Sequence, residues 1–175
     1  TRKTFSDERY KIWTMQSGYH NLPTINGVEQ KFGSKYKAHG QRYEASPKRV
    51  LYQVDIAKAY PEEACVNKWE RSYVLNRKKN FVISDNWNLS EVKGNTTLNF
   101  MTSCHVNIKD GNITLLRGKD TFQFNYDKKL FKAEIDNIEL KDAKLRKEWG
   151  TRIRLVMQHP ELNGKSEVVV KLANR

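Results

Sequence analysis

Cysteine is nearly missing from this sequence: Cys65 and Cys104 are the only two, far apart and without a C-x-x-C spacing. That excludes a zinc ribbon and a disulfide scaffold, and leaves two readings open, a pair of core thiols or one bridge between them. No apolar run is long enough to cross a bilayer, and the start carries no signal-peptide pattern. A glycine-rich phosphate loop, an internal repeat and a low-complexity tract are missing as well. Helical periodicity is confined to residues 139–149, where Leu140, Leu145 and Trp149 can share one side of a short helix; the stretch reads equally well as a charged loop. Acidic residues are outnumbered, 20 against 32 Lys and Arg, for a formal charge of +12. Such an excess draws nucleic acid, anionic polysaccharide and acidic membrane surface alike. No RNP sequence, zinc finger or helix-turn-helix pattern accompanies it, which places nucleic acid last among these. The chain opens on Thr1-Arg2-Lys3 without an initiator methionine, as a cleaved product would, and further sequence upstream is expected.

What is present is a series of short β-type runs. They fall at residues 50–56, 69–75, 81–84, 96–101, 112–116, 121–126, 132–138, 151–157 and 167–172, with Asn, Asp and Gly between them. Parallel pairing would need crossover helices that the pattern does not supply, so the expected fold is all-β: an antiparallel two-sheet β-sandwich with few or no helices. The length of 175 residues suits one domain, 1–175, divided into a front part (1–49) and the sandwich strands (50–175). Asp110-Gly111 and Asn163-Gly164 are read as hairpin turns. Residues 9–13 alternate well enough for a strand or an extended arm, and the Gly-, Ser- and Lys-rich stretch 31–49 reads as a long exposed loop.

The front part carries the candidate site. In residues 17–30 His20-Asn21 precede an apolar-alternating run, 22–28, interrupted by Asn26-Gly27, which reads as strand, two-residue turn, strand. A histidine held at a hairpin mouth is either a hydrogen-bonded structural residue or a rigid ligand or proton carrier. His39, His105 and His159 have no metal-motif spacing and read as surface or structural residues. Basic residues cluster three times: Lys31, Lys35, Lys37 and Arg42; Arg71, Arg77, Lys78 and Lys79; Lys141, Lys144, Arg146 and Lys147. A charge run is ordinarily a solvated face, and otherwise a holder of carboxylate or sulfate groups.

Arg9-Tyr10-Lys11-Ile12-Trp13, followed by Ser17-Gly18-Tyr19-His20-Asn21-Leu22-Pro23-Thr24-Ile25-Asn26-Gly27-Val28-Glu29-Gln30, resembles the heparinase II/III type of polysaccharide lyase near the start of its C-terminal β-domain. Residues 54–61 and 69–77 fit the same pattern, and beyond about residue 90 the resemblance is architectural only. It implies a lyase of uronic-acid polysaccharides of the heparin and heparan sulfate kind. Such an enzyme removes a proton next to a carboxylate and expels the sugar oxygen by β-elimination. An Asn or His neutralises the carboxylate, and a Tyr and a His act as base and acid. In the family the catalytic Asn and Tyr sit on a helical toroid domain, which would lie upstream of Thr1, so no catalytic residue is expected in this chain and the isolated chain is expected to be inactive.

The family's β-domain also implies a metal site, zinc or another divalent cation, built from two upstream ligands and the histidine of the His-Asn motif, here His20. Zinc takes about four ligands, so the site is expected to be incomplete in this chain. Asn21 is assigned either to orienting His20 or to a plain turn role. Lys31, Lys35, Lys37 and Arg42, with Tyr19 and Trp13, are the expected substrate-binding wall, while the aromatics read alternatively as edge packing. The implied partners are an acidic polysaccharide and the upstream helical domain of the same protein, with no nucleic acid and no membrane span. By resemblance alone the setting is bacterial, periplasmic or cell-surface. The alternative is a stand-alone module that binds acidic glycans.

Overall fold

The computed structural model describes residues 2–109, 111–140 and 150–173. Among the described residues twelve strands form two antiparallel sheets. The smaller has four strands in the order β1 (Pro23–Thr24), β6 (Thr97–Thr102), β11 (Thr151–Met157) and β10 (Phe131–Asn137). The larger has eight: β2 (His39–Ala45), β3 (Arg49–Asp55), β4 (Val66–Asn76), β5 (Asn80–Leu89), β12 (Asn163–Leu172), β9 (Asp120–Tyr126), β8 (Asn112–Arg117) and β7 (His105–Lys109). This is the expected sandwich. The candidate helix at 139–149 falls almost entirely outside the described residues, as does the third basic cluster.

The core lies where the sheets face each other. The large sheet contributes Val54, Trp69, Ile83, Trp87, Phe124 and Val168; the small one contributes Leu98, Phe100, Phe131, Ile153, Leu155 and Met157. Trp69 and Trp87 stack at 5.4 Å, and Phe100 meets Phe124 edge-on at 5.0 Å. Aromatic pairs of this kind add to plain burial, because ring edge and face carry opposite partial charge. Cys65 and Cys104 are both free and partly exposed, so they are neither fully buried core thiols nor a bridge.

Several local readings are corrected by the structure. Residues 9–13 form no strand: 3-10 turns span Asp7–Lys11 and Trp13–Met15, the first started by Ser6, whose hydroxyl accepts from the Glu8 N–H. The supposed loop 31–49 contains β2, an edge strand exposed along almost its whole length. A nearly all-polar strand at a sheet edge gives no alternation to read. Strand β5 continues past Ser84 to Leu89, because Asp85 faces inward like Ile83 and Trp87. Asn163-Gly164 is not a turn but the start of β12, paired with Asn88 and Trp87. A Cβ on Gly164 would stand 2.2 Å from Trp87 Cζ2, so glycine is there to let the indole lie across the strand.

Asn26-Gly27 does make the expected turn, with φ of 53° and 78° and Val28 N–H donating to Ile25 O at 2.8 Å. Its ladder stops at one bridge, however, and β1 pairs with β6 instead of with residues 28–30. The buried Asn26 amide accounts for this: its Nδ2 donates to Ala64 O and Glu91 O, both at 2.9 Å, and its Oδ1 accepts from Lys93 N–H at 3.1 Å. The turn is therefore a staple between distant loops and not the tip of a free hairpin.

Candidate functional site

The segment 17–23 is held by both its backbone and its side chains. Ser17 Oγ accepts from Gln30 N–H at 2.9 Å, and Gly18 N–H donates to Glu29 Oε2 at 3.0 Å. A side chain at Gly18 would put its Cβ 2.5 Å from Glu29 Oε1, which excludes any larger residue unless that carboxylate moves. Carbonyl oxygens are captured from both sheets. Arg152 of β11 donates Nη1 to Gly18 O at 3.0 Å, and Arg71 of β4 donates Nη1 to Asn21 O at 2.8 Å. Asn99 Nδ2 donates to Leu22 O at 2.9 Å, and the Tyr60 hydroxyl donates to Pro23 O. His20 thus sits between two arginine-held carbonyls, one from each sheet.

The two arginines differ sharply in surroundings. Arg71 and Asp85 are each 1% exposed and form a bidentate pair, Nε to Oδ1 at 2.7 Å and Nη2 to Oδ2 at 2.8 Å, with Trp69 Nε1 adding a bond to Oδ1 at 2.6 Å. Burial alone opposes the guanidinium charge, but the Asp85 carboxylate outweighs it and the Arg71 pKa is raised. Arg152 is paired with Asp136 at 2.8 Å in a partly exposed ladder that continues to Arg154 and Glu134, and its guanidinium lies 4.5 Å from the centre of the Tyr19 ring.

His20 itself is exposed. Its Nε2 lies 3.0 Å from Thr14 O; a carbonyl only accepts, so Nε2 is the donor of this bond. The ring lines an open groove of about 530 Å³ together with Tyr10, Met15, Lys31, Phe32 and Tyr36. One wall is built by Tyr10 stacked on Phe32 at 3.9 Å and 4°. Beside it a second hollow of about 480 Å³ shares Lys31 and Tyr36 and adds Lys35, Lys58 and Glu62. Lys31 and Lys35 lie 5.8 and 5.0 Å from the Tyr36 ring centre.

Sequence proximity groups these residues only in part. Lys31, Lys35 and Tyr36 do come to the His20 side, joined by Lys58, which was missed because it lies on a 3-10 turn 27 positions from Lys31. Lys37 is exposed and lines neither hollow. Arg42 belongs to edge strand β2 and is paired with Glu44. Trp13 and Tyr19 pack edge-on at 5.1 Å, half-buried, outside the groove lining. Asn21 Oδ1 accepts from Met101 N–H at 2.8 Å, which ties the segment to strand β6. Arg71 leaves the second basic cluster for the interior; the signal for it was Asp85, its direct cross-strand partner in β5. No group of three or more His, Cys, Asp or Glu among the described residues is placed to hold a metal ion.

No protein-family model and no curated protein matches the chain. Solved structures do. Heparan sulfate lyase HepC from Pedobacter heparinus aligns over 94% of this chain and 25% of its own, with a TM-score of 0.63 and 15% identity. A heparinase III aligns over 94% of this chain and 25% of its own, with a TM-score of 0.69 and 12% identity. A further heparinase III structure gives 97%, 25%, 0.65 and 12% for the same quantities. The chain therefore spans about a quarter of the length of the proteins it resembles. At such identities the likeness establishes the fold, and the fold is that of the matching quarter of heparan sulfate lyases.

Proposed function

We propose that this chain is the β-sandwich part of a heparinase II/III-like lyase that cleaves uronic-acid polysaccharides by β-elimination. His20 would serve as one ligand of a divalent cation, and Lys31, Lys35, Lys58 and Tyr36 would form part of the substrate cleft. The observation that carries this reading is the placement of His20. In a sandwich whose fold matches heparan sulfate lyases, the histidine of the His-Asn motif faces solvent in a groove, with Nε2 bonded to Thr14 O and Nδ1 the ring nitrogen left for a cation.

The donor set fits a cation only in part. His20 supplies one suitable nitrogen, and the described residues supply no three-ligand group, so on this reading the remaining ligands would come from outside the described residues. A bound divalent ion would supply local positive charge beside an acidic sugar. The chain's own residues act more simply. The lysines neutralise carboxylate or sulfate groups, and Tyr36 offers a ring face to the sugar. The acid and base of the elimination would likewise come from outside the described residues.

The test is His20→Ala in the full-length protein, with metal content measured by emission spectrometry and turnover by the absorbance of the unsaturated uronate product. Metal content is expected to fall with activity, and a variant with normal metal would remove the role assigned to His20. The exposed cations favour a second reading, a stand-alone module for acidic glycans. Binding that salt abolishes, without product even when the rest of the protein is present, would establish that reading instead.

A further inference from the structure

The small sheet has four strands and the large one eight, so part of the large sheet's inner face has no layer above it. Register places Tyr43, Tyr52 and Tyr73 in one row across β2, β3 and β4, on the face that carries Val54 and Trp69 into the core. Tyr52 stacks on Tyr73 at 6.3 Å, and Tyr73 on Phe81 of β5 at 6.2 Å. Tyr73 and Phe81 rest against the core, but Tyr52 is 38% and Tyr43 68% exposed, and Leu75 on the same face is 39% exposed. The row runs out of the core into solvent.

Two hairpin turns stand at one end of these strands, side by side, because Arg77 N–H donates to Lys48 O at 3.0 Å. They carry Lys48, Arg49, Arg77, Lys78 and Lys79, all exposed. Arg49 has Glu44 at 4.0 Å; the other four have no ion pair among the described residues. Five cations on two joined turns repel one another, and an anion laid across them relieves that repulsion.

We propose that this overhang is a second binding face for an acidic polysaccharide, separate from the His20 groove. Sugar rings pack along Tyr43, Tyr52 and Leu75, and their carboxylate or sulfate groups meet Lys48, Arg49, Arg77, Lys78 and Lys79. The apolar faces of pyranose rings suit exposed aromatic side chains, and Arg and Lys at a turn reach anionic groups without desolvating them fully. A long chain held here raises its local concentration at a cleft elsewhere on the same molecule. The choice of glycan rests on the function proposed above, whereas the site rests on the ring row and the turn cations.

The experiment measures binding of heparan sulfate and of poly(dT) to the 175-residue chain by calorimetry. Two variants are used: Tyr43→Ala/Tyr52→Ala, and Lys48→Ala/Arg77→Ala/Lys78→Ala/Lys79→Ala. All six positions are on the surface or at its edge, and circular dichroism checks the fold. Each variant is expected to weaken heparan sulfate binding about tenfold or more, from the usual size of stacking and charge contacts, while Lys119→Ala, an exposed cation on the β8–β9 turn at the other side of the large sheet, leaves it unchanged. Unchanged affinity in either surface variant overturns the proposal, and so does poly(dT) bound as tightly as heparan sulfate. No turnover is involved, so failure of the lyase reading leaves this result intact; failure here leaves the His20 test intact.

Discussion

Arg71 and Arg152 do the same local job in opposite surroundings. Each donates Nη1 to a carbonyl of the segment that bears His20, Arg71 to Asn21 and Arg152 to Gly18. One is sealed between the sheets with Asp85 and the other lies on the outer face of the small sheet with Asp136. The difference teaches where rigidity comes from. A buried, fully bonded pair cannot let go without stranding a charge, whereas a partly exposed pair exchanges its partner for water at small cost. The His20 segment is therefore anchored at Asn21 and only trimmed at Gly18.

Arg71→Met is the hardest blow to that arrangement. It leaves the Asp85 carboxylate buried with Trp69 Nε1 as its remaining donor, and is expected to cost about 3–5 kcal/mol of stability. Replacing both partners, Arg71→Met with Asp85→Leu, removes the stranded charge and should recover most of the loss. Chemical denaturation of the two variants checks this. A double variant no more stable than the single one would show that the pair anchors by its contact with Asn21 and not by charge balance.

How much of this was legible follows from the kind of signal each residue gives. Alternating apolar residues such as Ile153, Leu155 and Met157 announce a sheet face, and nearly every strand was placed from such patterns. Asp85 and Arg71 occupy inward positions of the same alternation, and their charge disguised them: β5 was cut short at Ser84 and Arg71 was assigned to the surface. The edge strand β2 was missed because Tyr43 stands nearly alone among polar residues and gives no alternation to read. At the site, the sequence singled out His20 but not its clamps. Arg152 and Gly18 are far apart along the chain, and only the folded register of β11 against β6 brings them together.

Tyr60 gives a middle term between the two arginines. Its hydroxyl donates to Pro23 O in the buried core, and burial raises its pKa well above the ordinary 10.0. The unfolded chain releases this proton first, so the stabilisation is complete below about pH 10 and is lost as pH rises toward the folded value. Tyr60→Phe is expected to cost about 1 kcal/mol at neutral pH, for one hydrogen bond. The gap between variant and parent should then close and reverse at alkaline pH, as read from thermal unfolding across that range. A gap that stays constant would mean that the phenol is reached by solvent.

The smallest effect is expected at Arg152, and it carries the sharpest contrast. Arg152→Gln removes a pair whose side chains are 19% and 31% exposed, together with the cation over Tyr19, for about 0.5–1 kcal/mol. Salt separates it from Arg71. Screening reaches an exposed pair and not one sealed from water, so raising ionic strength should erase the difference between Arg152→Gln and the parent while leaving that of Arg71→Met in place. Melting temperatures of all three proteins at low and high salt decide the matter. If both differences shrink together, the interior of the sandwich admits water and ions at Asp85, and the anchor is no firmer than the trim.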